Sequence, residues 1–358
     1  MRRKTLALFL FLVCLVSCNH LKSGVRVGEG VLTKSLLLSG SFPHGIMAIQ
    51  VGYFDRKPDK EIAVLGQMNG VIIDAKTRQI KKRLSFKQSL ELRPEIATVK
   101  TDGSLEIVRC GGGFGDVGLV NEMGEFIWKY KQVGTSPQMV AGDLDEDGEL
   151  EFYVTDLDGL HRLDYQGREV WKTPGDKWEV DAVIYTPDRD GSSLVVTRGT
   201  DGNFRFRDSS GRLVREVTPE AKSYGLEIVR WVDHYYLLTY SGSSIILTDF
   251  EGRLFFQYEL HKAWGRPSLR IQVMDIYDIR GVPVKFESDK QPYLAVLTDF
   301  RAATGKAMLS VFSPEKQLIY QEIINSSRGI SVLPNPDGSE SLLVGDGGKN
   351  IWIYEMAK

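Results

Sequence analysis

Residues 138–172 read QMVAGDLDEDGELEFYVTDLDGLHRLDYQGREVWK, and they divide into four short apolar runs. Gln138–Gly142 is the first. The turn at Asp147-Gly148 leads into Glu151–Thr155. Leu160–Tyr165 is the third, and a turn at Gly167 leads into Arg168–Lys172. β-Branched and aromatic residues fill the runs and turn formers bound them, so each run predicts a strand. Apolar residues at helical spacing over ten or more positions are nearly absent after residue 17.

The same order recurs along the chain. Asp-Gly followed by a β-rich run occurs at Asp102-Gly103, Asp147-Gly148, Asp190-Gly191 and Asp337-Gly338. A polar turn closing on glycine occurs at Gly124, Gly167, Gly211 and Gly252, at intervals of 43, 44 and 41 residues. Gly52, Asp55, Glu61 and Val64 match Gly142, Asp145, Glu151 and Val154 at a shift of 90, or two periods. Four strands in roughly 44 residues is the blade of a β-propeller. Blades start near 46, 92, 135, 178, 224, 268 and 328. The fold class is therefore all-β: a seven-bladed β-propeller of four-stranded antiparallel blades, with six or eight blades as the other solutions. An insertion around Asp278–Lys290 is expected to lengthen the sixth blade. The seventh has three strands before the chain ends at Lys358, and Leu32–Leu38 is expected to supply its outer strand. Closure by an N-terminal strand hides the last sheet edge.

Composition agrees. Glycine is 36 of 358 residues, above an average near 7%, and there are 16 Phe, 14 Tyr and 6 Trp. The net charge of -2 excludes a general nucleic-acid binder. The five histidines form no metal-ligand spacing, and no Gly-x-Ser-x-Gly elbow, phosphate loop or zinc cysteine pair occurs. The glycine-rich stretch Cys110–Gly115 precedes no helix pattern, so it predicts a connection between strands two and three.

The N-terminus reads as an address. Met-Arg-Arg-Lys precedes an eleven-residue apolar run from Leu6 to Val16, the pattern of a secretory signal peptide. Leu15-Val16-Ser17-Cys18 resembles the bacterial lipobox. That resemblance implies cleavage after residue 17, lipidation of Cys18 and a stable membrane anchor. The expected organisation is a signal peptide at 1–17, a lipid-anchored linker at 18–30 and one propeller domain at 31–358. The mature chain would carry 42 basic and 47 acidic residues, net -5. Asn19 after the lipid site favours the outer membrane of the cell envelope, on its periplasmic or surface face. Cys110 is then the one remaining thiol, expected as a buried strand residue.

Asp143-Leu-Asp145-Glu-Asp147-Gly148-Glu-Leu-Glu151 resembles the calcium loop of FG-GAP (VCBS-type) propellers, the family of the integrin α-subunit head. The resemblance implies Ca2+ held by Asp143, Asp145, Asp147, the carbonyl of Glu149 and Glu151, clamping the turn between strands one and two. Hard Ca2+ takes six to eight oxygens, and alternate carboxylates on a tight turn converge on one point. At matching places blade one has Tyr53, Asp55, Lys57 and Glu61, and blade two has Thr98, Lys100, Asp102 and Glu106. Lys57 and Lys100 stand where carboxylates would be and are expected to replace the metal charge. The turns leading to Trp128 and Trp171 resemble quinoprotein-type (PQQ-like) repeats, in which an outer-strand Trp docks between blades.

Propeller ligands generally use the face built by the 2–3 and 4–1 connections. Those connections carry Phe42, His44, Phe114, Trp178, His261, Trp264, Arg266 and Arg301. Exposed Trp and Arg typically anchor recognition surfaces, so Phe114, Trp178, Trp264, Arg266 and Arg301 are the candidate ligand face. The expected function is a monomeric, membrane-anchored, noncatalytic propeller that binds an envelope protein or a glycan. The alternative is an extracytoplasmic enzyme, either a quinoprotein-like oxidoreductase or a carbohydrate-active hydrolase or lyase. That alternative requires clustered titratable groups at the channel mouth.

Overall fold

The computed structural model describes residues 26–358 except 41, 44, 56, 91, 111–115, 131–137, 174–177, 188–190, 261, 263–275 and 301–304. Its described residues form 29 strands in seven antiparallel sheets and no α-helix. Blade three is the predicted one: Met139–Gly142, Glu151–Asp156, Gly159–Leu163 and Glu169–Lys172, paired in that order. Blades one, two, four and five repeat it. The innermost strands are Ile46–Gly52 (blade one), Leu92–Val99 (two), Met139–Gly142 (three), Glu179–Tyr185 (four), Tyr224–Trp231 (five), Ile276–Val284 (six) and Ile330–Pro334 (seven).

Ring closure follows the expected route. Leu32–Ser39 pairs antiparallel with Asn350–Met356, completing blade seven with a strand from the other end of the chain. Two residues from the stretch read as linker, Arg26–Val27, add a fifth strand to Leu318–Asn325 of blade six. The expected insertion at Asp278–Lys290 is not one. Most of it is the inner strand Ile276–Val284 and the turn after it. The extra length of this part of the chain falls instead between Glu259 and Ile276, almost all of it outside the described residues.

Blade stacking explains the sequence pattern. The second strand of each blade is covered on both faces, so it is apolar on consecutive positions and not alternating. Ile62, Ala63, Val64 and Leu65 are all fully buried. Between blades two and three, Val108, Leu119, Phe152 and Val154 pack together. Each such side chain is worth about 1.5–3 kcal/mol when fully buried. The outer strands face solvent, and Leu213–Val217 is exposed at four of its five positions.

The glycine turns serve as seats between blades. Trp128 Nε1 donates to the Tyr165 carbonyl at 3.0 Å, and the ring lies on Gly167. A Cβ at Gly167 would come within 2.5 Å of that ring, and its φ of 77° also favours glycine. Trp171 repeats the contact on the Ser209 carbonyl at 2.9 Å, over Gly211. In blade four Arg215 takes the same role, donating to the Phe250 carbonyl at 3.0 Å. The Trp docking expected from sequence is thus present in two blades and passes to Arg in a third.

Candidate functional site

An axial cavity of about 610 Å³ is lined by innermost-strand residues from all seven blades. Each blade contributes one residue near the start of that strand: Met47, Arg93, Gln138, Asp181, Tyr224, Asp278 and Arg328. The innermost strand starts at the end where the second strand finishes, so this ring lies on the 2–3 and 4–1 side. Backbone irregularities set the side chains. The ladder with strand two slips between Ile46 and Ala48, Leu92 and Glu95, Glu179 and Asp181, Tyr224 and Glu227, and Ile276 and Asp278. Each slip gives the inner strand one extra residue, a bulge that re-aims neighbouring side chains.

Arg93 spans the channel. It sits at a left-handed φ of 53° directly before Pro94, a conformation costing about 1–3 kcal/mol in a non-glycine residue. From blade two its guanidinium reaches Asp278 of blade six at 2.5 Å and Glu227 of blade five at 3.5 Å. Glu227 also binds Arg280 at 2.7 Å. Arg328 Nε lies 3.3 Å from Asp278 and 3.5 Å from Asp299. Beside this network Arg198 donates to Asp181 at 2.7 Å, and Gln138 donates to the other Asp181 oxygen at 2.9 Å.

The network separates the acids. Burial alone would raise Asp278, but Arg93, Arg280 and Arg328 outweigh it and hold the carboxyl well below the usual range. Asp299 has one arginine and a hydrogen bond from Ser326, and burial pushes it up to about 6. Glu95 faces the lumen while enclosed by protein, so burial raises it, and the nearby Glu227 adds to the effect. The mouth is therefore charged and its titrations are displaced. No histidine lines it among the described residues.

The rim carries aromatic rings. Trp178, Tyr224 and Tyr277 are 51%, 45% and 48% exposed. Arg198 lies over the Tyr224 ring and Arg328 over the Tyr277 ring. Of the expected ligand face, Trp178 stands exposed beside the Gly199–Gly202 turn, its carbonyl accepting from the Thr200 amide at 3.0 Å. Phe114, Trp264, Arg266 and Arg301 lie outside the described residues, as do His44 and His261. Phe42 does not belong to the face. It is buried in the blade-one core with Ile46 and Ile351. Cys110 is buried, and burial pushes its thiol up to about 12, an inert state. Cys18 lies outside the described residues.

At the opposite end of blade three, Asp143, Asp145, Asp147 and Glu151 bring carboxylate oxygens within 4.8 Å of one another. Asp143 accepts from the amides of Asp147 and Gly148, and Asp147 accepts from the Glu149 amide at 2.8 Å. Glu151 is buried and accepts from the Leu144 amide at 2.8 Å. Arg162 reaches Asp145 at 2.5 Å and Glu151 at 2.8 Å. The oxygen set fits a hard cation, with Arg162 as an internal competitor for two of its members. In blade two Lys100 binds the buried Glu106 at 2.6 Å, as expected. In blade one the expected Lys57 reaches only Asp55, at 3.4 Å. Lys81 from the outer strand binds Asp55 at 2.5 Å and the buried Glu61 at 2.6 Å.

On the mouth side of blade three, buried His161 forms a separate cluster. Its Nε2 lies 2.7 Å from Asp158, and its Nδ1 lies 2.9 Å from both Glu169 and Tyr130 of blade two. Both ring nitrogens are thereby engaged.

The lining network was invisible in sequence because its members come from different blades. One signal was available: Arg93, Gln138 and Asp181 are polar residues close to the blade starts at 92, 135 and 178, where a core residue would be apolar; Asp278 was hidden in the stretch read as an insertion.

Comparison with known proteins agrees with this architecture. A family model described as the lambda-carrageenase beta-propeller domain matches residues 111–235. No curated protein sequence matches the chain. Crystal structures of BBS1N in complex with ARL6DN, one soaked with lead and one with mercury, superpose with TM-scores of 0.52 and 0.51. Each is 12% identical, and each alignment covers 94% of this chain and 96% of the other. The likeness is one of fold.

Proposed function

We propose that this protein is a membrane-anchored, noncatalytic β-propeller of the cell envelope that binds a glycan at its channel mouth. The observation that carries the reading is the lining ring. Seven blades each present one side chain, among them guanidinium, carboxylate, amide and phenol groups, with three exposed rings at the rim. Planar polar groups meet sugar hydroxyls in pairs, and rings give sugar faces an apolar platform. The match to a carrageenase propeller over residues 111–235 supports a carbohydrate ligand. A noncatalytic role is supported by the engagement of Asp181, Glu227 and Asp278 in ion pairs.

The anchor is the diacylglyceryl group expected on Cys18 after loss of residues 1–17. The blade-three loop holds a structural Ca2+ through Asp143, Asp145, Asp147, the Glu149 carbonyl and Glu151. Binding is tested by titrating neutral, sulfated and amino oligosaccharides into the protein and into an Asp181→Ala, Tyr224→Ala double variant. Saturable binding that the variant loses supports the reading, and failure of every oligosaccharide overturns it. Cys18→Ser is expected to release the protein from membranes; continued membrane association would remove the lipobox from the account.

An enzymatic reading draws on Glu95 and Asp299, whose raised protonation is what an acid catalyst needs. Product release from a bound oligosaccharide would favour it.

A further inference from the structure

The lumen's described lining carries four acids and four guanidiniums, but they are unevenly paired. Its lining acids are Glu95, Asp181, Glu227 and Asp278, and its lining guanidiniums are Arg93, Arg198, Arg280 and Arg328. Every one of these guanidiniums is already committed. Arg198 holds Asp181, Arg280 holds Glu227, and Arg93 and Arg328 hold Asp278. Glu95 alone among the lining acids has no hydrogen bond or ion pair within the described residues. It projects from blade two, two residues below the Arg93 crossbar, into the solvent of the channel. The charged groups acting on it are Arg280, which favours its ionised form, and Glu227, which opposes it.

Among the described residues, an anion entering this channel meets no unpaired guanidinium and one free carboxyl. A cation meets that carboxyl beside three acids that are already ion-paired. We infer that the channel binds a primary ammonium group against Glu95, so that the ligand is an amino sugar or a chain bearing one. The inference rests on the glycan reading of the mouth and names the charge that the glycan carries.

Binding is then a balanced exchange. Where the pH leaves Glu95 protonated, its carboxyl gives its proton to solvent; the carboxylate pairs with the incoming ammonium, which stays fully protonated. No bond to carbon forms or breaks. Burial raises Glu95 above its ordinary value, so any proton release on binding grows as the pH is lowered.

The test uses the full-length lipidated protein in detergent and its Glu95→Gln variant, titrated calorimetrically with four probes. These are a glucosamine tetramer, its N-acetylated counterpart, a sulfated tetrasaccharide and a tetralysine peptide. The glucosamine tetramer is expected to bind at least about tenfold tighter than the N-acetylated one, a difference of one ion-pair contact. Repeating the titration in two buffers of different ionisation enthalpy is expected to show proton release for the unsubstituted protein. That measurement needs no variant to fold. Glu95→Gln should abolish both the preference and the proton release.

If tetralysine binds with the same Glu95 dependence while no sugar does, the cation site stands and the glycan reading falls. If the acetylated or sulfated sugar binds as tightly as the amine and Glu95→Gln changes nothing, the glycan reading stands and the cation site is overturned. Absence of binding by all four probes overturns both.

Discussion

Blades one, two and three each bury a glutamate at the start of their second strand, and they neutralise it differently. Glu61 is bound by Lys81 from the outer strand, Glu106 by Lys100 from the preceding turn, and Glu151 by Arg162 from the third strand. In blades one and three the other carboxylate oxygen accepts a backbone amide seven residues upstream, Phe54 and Leu144, at 2.8 Å. A buried carboxylate on this turn therefore pins the preceding loop and always needs a positive partner. Blade three differs by surplus. Asp143, Asp145 and Asp147 leave more negative charge than one guanidinium offsets, and only there is a divalent cation a natural complement.

Removing the shared element should have the largest effect. Glu151→Ala leaves the Leu144 amide without its acceptor and Arg162 with Asp145 as its one carboxylate, and is expected to cost about 3 kcal/mol in urea unfolding. Glu106→Ala should cost less, because Lys100 is nearly half exposed and water can take over its charge. Equal losses would mean that the two sites do not differ as their geometry indicates.

The surplus is tested by calcium. At a hundredfold excess over Kd, Ca2+ should stabilise the protein by about 2.7 kcal/mol, read as a rise in Tm that EDTA reverses. Asp145→Asn should remove that rise. The combined change Thr98→Asp and Lys100→Asp gives blade two the carboxylates it lacks, and should add a second chelator-sensitive increment. If blade two gains nothing, the count of carboxylates is not what separates the blades.

The pH dependence follows from the same burial. Desolvation pushes Glu151 up to about 7, although the Leu144 amide and Arg162 oppose it. The metal requires the ionised form, so a proton must leave on binding. Calcium affinity should thus rise as pH increases from 5.5 to about 7.5 and level off above. Flat affinity across that range would exclude Glu151 as a ligand.

The smallest effect is expected at Lys57. It is 69% exposed and touches only Asp55, so Lys57→Ala should change stability by less than about 0.5 kcal/mol. Lys81→Ala, which frees buried Glu61, should cost clearly more in the same assay.

The blade count and the closing strand were legible because turn glycines recur at a fixed interval and outlast changes in the strands. Glycine is needed at Gly167 and Gly211 because a ring from the previous blade lies on them, so that interval records packing as well as turn geometry. Lys57 does not neutralise Glu61, for a physical reason. Adjacency in sequence placed Lys57 beside the acid, but the cross-strand ladder delivers Lys81 to the same spot from 20 residues further on. The channel network was hidden more deeply. Arg93 and Asp278 are 185 positions apart, and six bulges in the innermost strands shift the alternation that would say which residues face the lumen.

Glu322 gives the ring a mechanical property. Its carboxylate binds Arg26 at 3.2 Å and Lys34 at 2.9 Å, and accepts from the hydroxyls of Tyr320 and Tyr354. Any pull applied through the N-terminus meets the two-residue strand Arg26–Val27 first. That strand can peel from blade six without opening the circle, because closure depends on Leu32–Ser39 beyond it. If the chain is anchored as proposed, this outer contact would act as a sacrificial link that gives way before the ring does. Lys34 and the long closing ladder then bear the remaining load before the blades come apart.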